Sequence, residues 1–188
     1  MALTHRKMES FYPLMWLWVG LGNPGKKYEN TRHNIGAMIL HQMAPGSVSF
    51  TFDKSFNGEI GKTKTDEDHV FLVPHTFMNL SGDAVLKTMK YYKVKPENMV
   101  VLHDELDLVP HDLRYKFGGG HRGHNGLRDI IAKIGSPDFH RIRIGIGRPP
   151  NSDYSVSDYV LSKIPKSDIP EQQKIAELLS NNDLPFFD

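Results

Sequence analysis

Four stretches of the chain concentrate residue types that can do chemistry: GLGNPGKKYENTRHNIG (20–36), TFMNLSG (76–82), HDELDL (103–108) and GGGHRGHNGL (118–127). Each is built on turn-forming or polar residues, a composition suited to a site and poorly suited to a core. Histidine is the side chain best able to take and return a proton near neutral pH. His33 follows the Asn23–Gly25 turn and sits between Arg32 and Asn34, but it is one of ten histidines. Its residue type alone leaves it open between a base and a structural hydrogen-bonding group. A histidine base works better beside a carboxylate that fixes its tautomer and balances the imidazolium. Asp104, at the end of an apolar run, is the best-placed candidate, with Glu105 and Asp107 as rivals; each could equally cap or close a turn. The amides of Asn23, Asn79 and Asn125 could donate hydrogen bonds to an oxyanion. Asn23 before Pro24 could instead organise a turn, and Asn125 could cap a helix.

The glycine run could bring backbone close to a sugar-phosphate. It is neither a G-x-G-x-x-G opening a βαβ unit nor a P-loop, so no nucleotide cofactor is expected. His121 and His124 have metal-ligand spacing, but zinc requires at least a third ligand, so no metal is expected. Tyr28, Phe77 and Met78 are expected to form walls.

The elements that must position these groups follow from the hydrophobic pattern. Strands are expected over residues 17–21, 48–52, 56–62, 70–73, 99–102, 113–117 and 140–147, and helices from Thr31 to about Met43, over 81–92, over 125–134, near 157–162 and over 167–180. Thr31 and Ser81 are the expected helix caps. Strands alternating with helices predict a single α/β domain: a twisted, mostly parallel or mixed sheet with helices on both faces. Ligands of such sheets sit beyond the carboxyl ends of the strands, where Asn23, His103–Glu105 and the glycine run all fall.

Composition bounds the function. The 188 residues fit one domain, and with no cysteine there is no disulfide, thiolate nucleophile or cysteine-ligated metal. No run of apolar residues approaches the roughly 20 needed to span a bilayer, and the N-terminus lacks the features of a secretory signal. Net charge is only +1, yet residues 114–148 hold eight cations against Asp129 and Asp138. Such one-signed clustering is a footprint of nucleic-acid binding, although a solvated surface can show it too.

In this order and spacing, the four stretches resemble the motifs of bacterial-type peptidyl-tRNA hydrolases, from about Trp16 to the C-terminal helix. The resemblance implies hydrolysis of the ester between a peptide and the 3′-terminal ribose of tRNA. It places the catalytic histidine at His33 and selects Asp104 as its partner. It has Asn23 and Asn79 grip the peptidyl end, Asn125 line the site, and Tyr28 and Phe77 line the cleft. The oxyanion donor is left among the three asparagines, with orientation of the water as another role for Asn125. Lys116 and Arg143 match the pair that clamps the tRNA 5′-phosphate, with Arg141 as a confounder on the same strand face. It further implies a cytoplasmic monomer with tRNA as its partner, and no cofactor, metal, membrane or obligate protein partner. Two departures stand out: Arg122 occupies a position often held by glycine, and residues 1–15 form an extension ahead of the domain at 16–188. The rival readings are a non-catalytic RNA-binding module of the same fold, against which the set His33, Asp104, Asn23, Asn79 and Asn125 argues, and a metal-dependent peptidase, which the sparse ligand set disfavours.

Overall fold

Runs that are apolar at every position, such as Leu17–Val19 and Met99–Leu102, can be buried only where a sheet is covered on both faces. The computed structural model, which describes residues 15–63, 69–151 and 153–181, places them so. Among these residues seven strands occur: β1 (Trp16–Gly20), β2 (Thr51–Asp53), β3 (Gly58–Lys62), β4 (His69–Pro74), β5 (Met99–Glu105), β6 (Leu113–Phe117) and β7 (His140–Gly145). They form one sheet in the order β2-β3-β4-β1-β5-β7-β6. The central strands β4, β1, β5 and β7 are parallel, while β2, β3 and β6 join the edges antiparallel. The sheet is therefore mixed, with a parallel centre, as the alternation of elements predicted.

Among the described residues five α-helices cover it: α1 (Ile35–Met43), α2 (Ser81–Tyr92), α3 (Asn125–Ile134), α4 (Val156–Val160) and α5 (Ile169–Ser180). One face packs Trp18, Phe71, Leu102 and Ile142 against Ile39 and Leu40 of α1 and Ile175 and Leu179 of α5. The other packs Leu17, Val101 and Phe139 against Val85 and Met89 of α2 and Leu127 and Ile130 of α3. At Gly36 of α1, a Cβ would stand 2.2 Å from the carbonyl oxygen of Leu102. This contact lets α1 lie directly on β5 and brings the turn before α1 against the end of that strand. No helix among the described residues is long and apolar enough to cross a membrane.

Several boundaries differ from the sequence expectation. Residues 48–50 lie outside any strand, and β5 continues through His103, Asp104 and Glu105, which are its last residues. Thr31 precedes a 3₁₀ turn (Arg32–Asn34) and donates its hydroxyl to the Tyr28 carbonyl, capping nothing. Ser81 is the first residue of α2, not its cap, and donates to the carbonyl of Met78. Residues 1–14 of the expected extension lie outside the described residues.

Candidate active site

The carboxyl ends of β1 and β5, the turn before α1, the turn before α2 and the glycine loop before α3 converge on a cleft of about 920 Å³. Asn23, His33, Phe77, Asn79, Asp104, Lys116, Asn125 and Arg143 all line it. Of the nine residues singled out above, Tyr28 alone does not. Its ring meets Phe77 edge-on at 6.3 Å.

At its centre, the Nδ1 of His33 lies 2.9 and 3.0 Å from the two carboxylate oxygens of Asp104. Both groups are buried, at 9% and 4% exposure, so the pair is shielded from competing water. With Nδ1–H donated to Asp104, Nε2 of His33 is left as a proton acceptor. Burial alone disfavours the imidazolium, but the charge of Asp104 and its hydrogen bond outweigh it and raise the His33 pKa above 6.5. Burial likewise works against the Asp104 carboxylate, yet the two histidines beside it hold its pKa well below the usual range.

The second histidine is His124, and its role was not legible in the sequence. Its Nδ1 accepts the backbone N–H groups of Gly126 (3.1 Å) and Leu127 (3.3 Å), so His124, not Asn125, is the N-cap of α3. An accepting Nδ1 puts the ring proton on Nε2, which lies 2.9 Å from Oδ1 of Asp104 and donates to it. Asp104 therefore receives an N–H from each side, and the helix cap fixes one of the two. Histidine is an uncommon cap, so residue type points to its neighbour Asn125 instead.

His33, Asp104 and His124 also place their ligand atoms within 4.8 Å of one another, the spacing of a metal centre. The hydrogen bonds oppose that use. A metal on Nε2 of His124 would move the proton to Nδ1, directly facing two backbone N–H donors. The pair suspected from spacing is not the one assembled: His121 turns its Nδ1 to accept the N–H of Gly123. His103, also buried, donates Nδ1–H to the Asp104 carbonyl at 2.8 Å. Burial, reinforced by neighbouring His124, pushes its pKa down to about 3, so it stays neutral.

Asn23 is held at several points. Its Oδ1 accepts the N–H of Met78 at 2.7 Å, which turns its NH₂ group away from that bond. Its backbone N–H and carbonyl are both taken by the amide of Asn34, at 2.8 and 2.9 Å. Asn34 thus pins the turn, another role that spacing did not reveal. Asn79 and Asn125 are exposed on the cleft wall.

The cations divide. Arg143 is tied to Glu105, with Nε and Nη2 each 3.0 Å from Oε2. Arg141 shares its strand face but is buried; it donates to the carbonyls of Gly119, Gly120 and Pro137 and packs over Phe139. It holds the glycine loop in place and is spent on that task.

Fold and cleft together define an α/β protein whose buried histidine–carboxylate pair faces a polar cleft, an arrangement able to serve general-base chemistry. Comparison with known proteins narrows the class. The peptidyl-tRNA hydrolase family model matches residues 17–183. A peptidyl-tRNA hydrolase of Pseudomonas putida is 48% identical over 162 residues, covering 85% of this chain and 81% of the relative. Another, from Glaesserella parasuis, is 50% identical over 157 residues, covering 82% and 80%. The crystal structure of peptidyl-tRNA hydrolase from Acinetobacter baumannii superposes with a TM-score of 0.80 at 40% identity, over 93% of each chain. The chain belongs to the peptidyl-tRNA hydrolase family.

Proposed function

We propose that the chain hydrolyses the ester joining a peptide to the 3′-terminal ribose of tRNA, with His33 as general base. The observation that carries this reading is the buried His33–Asp104 pair, whose free Nε2 opens on a cleft lined by neutral amide donors and cations. Nε2 takes a proton from water as its oxygen attacks the ester carbonyl carbon. The developing imidazolium is balanced by Asp104, which His124 keeps oriented. The tetrahedral oxyanion needs a preorganised donor, and Asn23 is the most firmly fixed of the three amides. Asn79 and Asn125 serve to hold the peptide and the water. Collapse of the intermediate breaks the bond to the ribose oxygen, which takes the proton back from His33 and leaves as free tRNA. No step needs a metal or cofactor.

Lys116 and Arg143 are assigned to the 5′-phosphate of the tRNA. Glu105 occupies the Nε–Nη2 edge of Arg143, which leaves Nη1 outside that ion pair for a phosphate oxygen while Lys116 acts as a point charge. The enzyme works as a cytoplasmic monomer. The test is release of free tRNA and intact peptide from peptidyl-tRNA in the presence of a chelator. Full activity is expected; loss of activity that added zinc restores would replace this mechanism with a metal-dependent one, and tRNA binding without cleavage would favour an RNA-binding module.

A further inference from the structure

Six cations line the cleft, and they differ in what each already holds. Arg141 is engaged by loop carbonyls, Arg143 by Glu105, and Arg148 by Asp107 at 2.6 Å. Among the described residues, Lys116, Arg122 and Arg128 have no carboxylate within ion-pair distance. Arg122 is also set apart by its backbone. Its φ is +46°, in the left-handed region where a Cβ crowds the following carbonyl. The other residues of this loop with positive φ are Gly118, Gly119 and Gly123, for which that conformation carries no such penalty.

The conformation of Arg122 is imposed from both sides. Arg141 fixes the carbonyls of Gly119 and Gly120 before it. After it, the N–H of Gly123 donates to Nδ1 of His121, and the N–H of His124 donates to the carbonyl of His121. His124 then caps α3 and meets Asp104. The backbone is thereby fixed so that Arg122 lines the cleft, two residues from a side chain that contacts the Asp104 carboxylate. Backbone strain persists where the surroundings over-determine it, and such residues cluster at binding sites.

We propose that Arg122 is an additional phosphate-binding residue, gripping a phosphodiester of the single-stranded 3′ end that leads to the scissile ester. It acts separately from the pair assigned to the 5′ end. A guanidinium suits this task because its fork matches two phosphate oxygens. The proposal rests on the RNA-ester reading of the cleft and deepens it.

The experiment measures binding of deacylated tRNA against salt concentration for wild type, Arg122→Gln, Arg122→Lys and Arg122→Gly, with a melting temperature for each. Removing one phosphate contact lowers the magnitude of the slope of log K against log salt by about 0.7–0.9. That loss is expected for the glutamine and glycine variants, together with several-fold weaker binding, while lysine keeps the slope. The glycine variant should melt no lower than wild type, because it relieves the left-handed strain. A tRNA trimmed of its 3′ single strand should bind wild type and Arg122→Gln equally. An unchanged slope in the glutamine and glycine variants overturns the contact, and a deficit that persists on trimmed tRNA overturns its location. Wild-type protein that shows the full slope but does not cleave peptidyl-tRNA would refute the catalytic reading and leave the Arg122 contact standing.

Discussion

At the scale of single residues, Asp104 is where the site converges, because it accepts an N–H from His33 and another from His124. An asparagine there has one accepting oxygen, so its NH₂ group must face one of the two donors. Asp104→Asn should therefore lower turnover by about 10²–10⁴, the usual worth of general-base catalysis. It should also displace the pH profile. His33 must be deprotonated to act, so the wild-type rate should rise with pH through a value above 6.5, the direction in which Asp104 shifts it. Without that charge the ascending limb should move to lower pH; a limb that stays in place would detach Asp104 from His33. His124 permits a cleaner separation, since its two nitrogens do different jobs. His124→Ala should lose roughly tenfold in kcat, the worth of one hydrogen bond to a charged group, and about 1 kcal/mol of stability from the lost cap. His124→Asn can restore the cap without reaching Asp104. Its melting temperature should recover while kcat stays low, and recovery of both would make His124 purely structural.

The elements explain why those side chains meet. His33 precedes α1 and Asp104 is the penultimate residue of β5, so their contact depends on how closely helix and strand pack. Gly36 sets that distance: Gly36→Ala would push a methyl into the Leu102 carbonyl. Overpacking of this kind costs about 1–3 kcal/mol, and here kcat should fall together with the melting temperature. Unfolding midpoint and turnover measured on the same preparation check this. A variant destabilised but fully active would show that the His33–Asp104 contact tolerates movement of α1. The same packing shows what was legible in the sequence. The apolar runs of β1, β4 and β5 declared a two-sided sheet, and strand-end residues such as Asn23 and Asp104 declared where its cleft would lie. Residues 48–50 misled because their apolar character serves packing of Val48 and Phe50 beside α1, without strand pairing. The roles of His124, Asn34 and Arg141 are hidden in the sequence for a different reason. Their importance lies in long-range hydrogen bonds to Asp104, Asn23 and the glycine loop, and local periodicity does not encode such partners.

On the scale of the whole molecule, charge is divided between attraction and architecture. The basic segment 114–148 contributes Arg141 to the interior, while Lys116, Arg122 and Arg128 face the cleft. If Lys116 and Arg143 hold the 5′-phosphate, Lys116→Ala and Arg143→Ala should impair cleavage of 5′-phosphorylated substrate far more than of dephosphorylated substrate. Equal losses on both would indicate general attraction to RNA. Every assigned residue lies beyond position 15, so removal of residues 1–15 should leave turnover nearly unchanged; a folded but inactive truncated protein would give that segment a function. If His33 is the base that activates water for cleavage of peptidyl-tRNA, single-turnover hydrolysis by His33→Ala will show it most plainly. With enzyme in excess and chelator present, the cleavage rate should be lower than wild type by at least about 10², with tRNA affinity preserved. A rate within a few-fold of wild type would contradict it.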